Sequence, residues 1–111
     1  GVGIDLISTQ RMQRLVARRS HLRVASRILS PKEYILFKAL PEDAARQTRF
    51  LAVRWAVKEA AFKALYPLAK PTWKELSYLV PEGCAHKPEL SYISSHSNIK
   101  VKLLASISHD G

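Results

Sequence analysis

With 111 residues the chain has room for one domain, which would bury about 65% of the surface that its unfolded form exposes. Eighteen Lys and Arg against nine Asp and Glu leave a net charge of +9, so the partner to look for is an anion. The single cysteine, Cys84, excludes an internal disulfide and fits a reducing compartment, and no apolar run approaches transmembrane length or reads as a signal peptide.

Gly1–Ile7 reads as a short strand, with Val2, Ile4 and Leu6 on one face and Gly3, Asp5 and Ile7 on the other. Ser8 or Thr9 then caps a helix that runs into the low twenties, with Met12, Leu15, Val16 and Leu22 as its buried side. Ser30-Pro-Lys-Glu33 is a capping box with Pro at the first helical position, so a second helix starts there. Pro41-Glu-Asp43 stops it and launches a long helix over residues 44–66. Pro67 and Pro71 break the chain, after which Leu76–Val80 and Glu89–Ile93 read as strands around a Pro- and Gly-containing loop. Val101, Leu103, Ala105 and Ile107 alternate with Lys102, Leu104, Ser106 and Ser108, the pattern of a half-buried last strand. This order predicts an α+β domain over residues 1–111, an antiparallel sheet packed against a long central helix and shorter helices.

The long helix carries Arg54, Lys58, Glu59 and Lys63 through an otherwise apolar middle. At 100° per residue Glu59 projects on the side of Ala52, Trp55, Ala56 and Phe62. A carboxylate among apolar neighbours is exposed, paired or bound to a cation. Lys63, four residues on, is the ordinary partner. The alternative is a second carboxylate from far away in the chain. Asp5 is disfavoured in a strand and either begins a turn or serves a ligand. Together Asp5 and Glu59 suit a hard divalent cation such as Mg²⁺, which takes one or two carboxylates with water and phosphate oxygens.

The first helix is the second charged feature. From Arg11 to Arg27 there are six arginines and no acid. A solvated helix face is the simple explanation, but uncompensated like charges repel, and Arg is suited to carboxylate or phosphate recognition. Nucleic acid is one such anion, yet no zinc motif, helix-turn-helix pattern or aromatic platform accompanies the charge.

Four ordered motifs resemble a known family. Gly1-Val-Gly-Ile-Asp5 with Arg11 six residues on, and Phe50-Leu-Ala-x-Arg54-Trp-Ala-x-Lys58-Glu59-Ala-x-x-Lys63-Ala64, look like the 4′-phosphopantetheinyl transferases, nearest to the short holo-acyl-carrier-protein synthase type. Arg27-Ile-Leu-Ser-Pro-Lys-Glu33 and the closing Ser106-Ile-Ser108-His109 are similar to two further stretches of that family. The resemblance implies transfer of the 4′-phosphopantetheine arm of coenzyme A to a serine of an apo acyl carrier protein, with release of adenosine 3′,5′-bisphosphate. It implies Mg²⁺ on Asp5 and Glu59, with Lys58, Arg54 and Lys63 as cations for coenzyme A phosphates. His109 and Ser108 would contact the nucleotide. For the serine proton, Glu59 or a metal-bound water set by it is the base, and water is favoured because a metal-bound carboxylate is weakly basic. The acidic carrier protein would dock on Arg11, Arg14, Arg18 and Arg23.

The same resemblance implies a homotrimer with active sites between subunits, and a further apolar strand after the His109 motif that this sequence does not reach. Without its initiator Met the chain reads as a fragment, a domain excised from a larger synthase included. Tyr66-Pro67-Leu-Ala-Lys-Pro71-Thr-Trp73 looks more like fungal mitochondrial members than bacterial ones, which suggests a mitochondrial location, with the cytoplasm as the alternative. Trp55, Trp73 and Tyr78 read as packing residues, Glu33 as the cap partner of Ser30, and His21, His86 and His96 as surface residues. Asp110 has only its proximity to His109 to suggest a role in the metal site. The competing functions are a basic nucleic-acid-binding module and a non-catalytic module that binds carrier proteins.

Overall fold

The computed structural model describes residues 2–80, 87–94 and 100–103, with side chains over residues 9–80 and 87–94. Among the described residues four helices precede a short 3₁₀ turn and three strands: α1 Val2–Arg19, α2 His21–Ile28, α3 Pro31–Ala39, α4 Ala44–Leu65, the turn Trp73–Glu75, then β1 Leu76–Leu79, β2 Glu89–Ile93 and β3 Lys100–Leu103. The α+β class expected from the sequence is observed.

The chain's opening differs from expectation. Residues 2–7 are not a strand but the first turns of α1, and Ser8 and Thr9 lie inside that helix rather than capping it. So short a segment cannot be assigned by periodicity alone, and here it continues without a proline into a helix-forming segment. Extending a helix already nucleated adds one hydrogen bond per residue fixed, which favours continuation.

The expected single helix through the low twenties is two. Ser20, a non-glycine residue at φ 93°, turns the chain between α1 and α2. Its hydroxyl accepts from Arg23 N at 3.3 Å and so caps α2. The re-aimed α2 buries Val24, Ala25 and Ile28, whereas Leu22, expected inside, is 55% exposed. Met12 is fully buried, and Leu15 and Val16 pack beside it.

The next two helix starts follow the sequence closely. Ser30 and Glu33 form the capping box, with Ser30 N donating to Glu33 Oε1 at 2.9 Å and Glu33 N to Ser30 Oγ at 3.3 Å. Asp43 caps α4, accepting from Ala45 N at 3.0 Å and Arg46 N at 3.3 Å.

Two apolar clusters hold these elements. Met12, Val24, Ala25, Leu29, Phe37 and Leu51 join the helices, with Trp55 and Trp73 packed against them. Val57 and Ala61 of α4 meet Leu76, Tyr78 and Leu90 of the sheet. The sheet is antiparallel in the order β1-β2-β3, pairing Tyr78 with Leu90 and Leu90 with Leu103. Alternation puts Leu76, Tyr78, Leu90 and Tyr92 on the face toward α4, while Ser77 on the other face bonds Ser30 Oγ at 2.7 Å. The expected strand beyond Leu103 lies outside the described residues. Among the described residues no helix is long and apolar enough to cross a membrane.

Candidate functional site

The last turns of α4 and the segment before β1 enclose a cleft of about 440 Å³. Glu59 and Lys63 stand on it from α4, and Phe62, Pro71, Trp73 and Leu76 supply apolar walls. Glu59 is exposed, and no ion pair joins it to Lys63, so its carboxylate is open to a ligand from the cleft. On that helix side Glu59 is solvent-exposed rather than paired with Lys63. The reason is that the side bearing Ala52 and Trp55 turns outward along the helix, until Phe62 is 40% exposed.

Lys58 lies in the cleft wall but turns inward. Its Nζ donates to Ile28 O at 2.7 Å, Glu33 Oε1 at 2.5 Å and Trp73 O at 2.9 Å. An ammonium has three N–H donors, so none is left for a phosphate. Arg54 is also engaged elsewhere. Its Nη2 donates to Tyr78 O at 3.3 Å, its Nε lies 3.8 Å from Glu33 Oε2, and its guanidinium stacks 3.6 Å from the Phe50 ring centroid. Of the three cations expected at coenzyme A phosphates, the structure leaves Lys63 on the cleft and occupies Lys58 and Arg54 in the interior.

The centre of that interior arrangement is Glu33, which is fully buried. Oε1 accepts from Ser30 N and Lys58 Nζ, and Oε2 from Tyr78 N at 2.8 Å. One carboxylate thus ties α3, α4 and β1 together. Burial holds Lys58 below its ordinary 10.5, against the pull of the Glu33 carboxylate and with Arg54 adding to the lowering. Burial likewise lowers Arg54, opposed by Glu33. Sequence reading found the cap role of Glu33 but not this hub. The available signal was a pair of cations, Arg54 and Lys58, four apart on an apolar helix with no acid placed to face them inside.

A second cleft, of about 550 Å³, opens between α1, α2, α4 and the 3₁₀ turn. Arg19, Arg27 and Lys74 rim it, and Leu15, Trp55 and Trp73 are among its apolar lining. Arg11, Arg14, Arg18 and Arg23 are all exposed on α1 and α2, as the docking expectation requires of them. Trp55 and Trp73, expected as packing residues, both pack on the helical core and line this cleft. His21, read as a surface residue, is half-buried and bonds Thr48 Oγ1 at 2.9 Å.

Asp5 is on the first turns of α1, with its side chain outside the described residues, as are Cys84, His86, His96, Ser108, His109 and Asp110. Among the described residues no group of three His, Cys, Asp or Glu is arranged to hold a metal. Mg²⁺ asks less of a protein, since one or two carboxylates suffice when substrate phosphates complete its shell. An exposed Glu59 on a cleft fits that donor set.

Residues 1–103 match the 4′-phosphopantetheinyl transferase superfamily, and the chain belongs to that family. Holo-[acyl-carrier-protein] synthase of Mycoplasmoides gallisepticum is 37% identical over 111 residues, which is 100% of this chain and 86% of that protein. The synthase of Polynucleobacter asymbioticus is 36% identical over 99 residues, 86% of this chain and 73% of that protein. The synthase of Bordetella pertussis is 47% identical over 66 residues, where the match spans 59% of this chain and only 42% of that protein.

Proposed function

We propose that the protein is a holo-acyl-carrier-protein synthase that transfers 4′-phosphopantetheine from coenzyme A to a serine of an apo acyl carrier protein. The observation that carries this reading is the exposed Glu59 carboxylate beside Lys63 on an apolar-walled cleft, within the block that resembles the family. The serine oxygen attacks the phosphorus that bears the pantetheine arm. The bond from that phosphorus to the bridging oxygen breaks, and adenosine 3′,5′-bisphosphate leaves. The serine proton goes to Glu59 or to a water that Glu59 orients.

Lys63 offsets charge on the pyrophosphate, and Phe62, Pro71 and Leu76 flank the arm and keep bulk water from the reacting oxygen. Asp5 and Glu59 would hold Mg²⁺, which when bound neutralises charge on the pyrophosphate oxygens. Ser108 and His109 remain proposed nucleotide contacts, as the resemblance implies. Lys58 and Arg54 act in this reading through Glu33, holding the helix that presents Glu59.

The acidic carrier is proposed to dock on Arg11, Arg14, Arg18 and Arg23, continued by the cations Arg19, Arg27 and Lys74 around the second cleft. Charge complementarity supports this, since those seven cations are exposed and, among the described residues, no acid lines that cleft. A homotrimer with sites between subunits, and a mitochondrial location suggested by residues 66–73, belong to the same proposal; imaging a fluorescent fusion tests the location.

The reading is tested by calorimetric titration with coenzyme A, followed by chromatography of the nucleotide formed in turnover. Binding of coenzyme A, and appearance of adenosine 3′,5′-bisphosphate only when apo carrier and Mg²⁺ are both present, are expected. Absence of coenzyme A binding overturns it.

A further inference from the structure

Among the described residues Trp73 alone lines both clefts. It stands between Glu59 and Lys63 on one side and the cluster of Arg19, Arg27 and Lys74 on the other. The turn that carries it is fixed independently of any ligand. Thr72 N donates to Glu75 Oε1 at 2.8 Å, closing the turn from its start. Lys58 Nζ donates to Trp73 O at 2.9 Å, and the same ammonium is anchored on Ile28 O and Glu33. Trp73 packs against the helical core yet is only partly buried, and the residue lines both clefts. A tryptophan held this way offers a large apolar face and loses little rotamer freedom when a ligand covers it.

In the proposed transfer the two substrates must meet, with the serine oxygen about 3–3.5 Å from the phosphorus it attacks. One cleft offers the carboxylate and cation suited to the pyrophosphate, and the other the cations suited to an acidic protein. Their common wall is therefore the place across which the serine and the phosphate approach each other.

Resting on that proposed reading, we infer that Trp73 is a specificity-determining residue whose indole contacts the pantetheine arm on one side and the carrier protein on the other, and so sets the approach of the serine. The Lys58 bond to the Trp73 carbonyl makes Lys58 and Glu33 positioning residues for this ring. Their burial is then part of how the two clefts are kept in register.

The experiment is ¹⁹F NMR on the whole chain with both tryptophans replaced biosynthetically by 5-fluorotryptophan. The sequence has two, Trp55 and Trp73, so two resonances result, and the spectrum of Trp73→Phe assigns them. Coenzyme A and apo acyl carrier protein are added separately. The Trp73 resonance is expected to shift with each alone, and that of Trp55, which lines only the second cleft, with the carrier alone. In turnover, Trp73→Ala is expected to lower kcat/KM for the carrier roughly tenfold or more, with most of the loss restored in Trp73→Phe. A Trp73 resonance silent to either ligand, in a protein that does transfer the arm, overturns this inference alone. Turnover of Trp73→Ala within about twofold of the parent also overturns it. A parent that binds no coenzyme A and transfers nothing overturns the transferase reading instead.

Discussion

Glu33 is the residue on which the fold around the site turns, because it satisfies a helix cap, a strand amide and an ammonium at once. Removing one partner of a buried pair strands the other, so Glu33→Ala is expected to cost about 3–5 kcal/mol in urea unfolding. The double variant Glu33→Leu with Lys58→Met should lose much less than the two single losses added together, since no charge is then left unpaired. Lys58 also carries a pH signature. Its proton is held less tightly folded than unfolded, so the unfolded chain binds more protons between the lowered value and 10.5. Stability from this group therefore rises as pH climbs through that interval. The stability of the wild type relative to Lys58→Met, followed by urea unfolding against pH, should grow there, and a flat or falling difference contradicts it. Glu59 is exposed, so Glu59→Ala should unfold within about 0.5 kcal/mol of the wild type while losing transfer. The capping box was legible in the sequence because its partners are three residues apart. The inward turn of Lys58 was not, because its partner Glu33 lies 25 residues away and helical projection cannot say which elements will cover a face.

Among the elements, those with their own punctuation were read correctly and the others were not. Pro31 with Ser30 fixed the start of α3, Asp43 that of α4, and the Pro- and Gly-containing loop set β2 apart from β1. The opening segment had apolar residues but no start signal, and its strand pattern yielded to continuation of α1. The α1–α2 break was hidden because Ser gives no warning of a positive φ. At φ 93° and ψ 153° Ser20 occupies a region used almost only by glycine. Ser20→Gly relieves strain of about 1–3 kcal/mol and gives back a few tenths in capping and part of the rest in unfolded-chain entropy. The net expectation is a gain of about 1 kcal/mol, read from the urea midpoint; a lower midpoint contradicts the strain.

At the scale of the whole molecule, the proposed carrier docking and the proposed trimer each have a direct test. The cations of α1, α2 and Lys74 face solvent, so their pull on an acidic carrier is screened by salt. Initial rates should show KM for the carrier rising with ionic strength and in Arg18→Glu, with kcat at saturation little changed. A KM indifferent to both contradicts docking on this face. Analytical ultracentrifugation tests the proposed trimer, which predicts three times the monomer mass. The proposed transfer is read directly by intact-mass spectrometry of an apo acyl carrier protein incubated with the chain, coenzyme A and Mg²⁺. The carrier is expected to gain the mass of one phosphopantetheine arm, and EDTA or Glu59→Ala to abolish the gain. An unchanged carrier mass with coenzyme A bound, or a gain that survives Glu59→Ala, contradicts it.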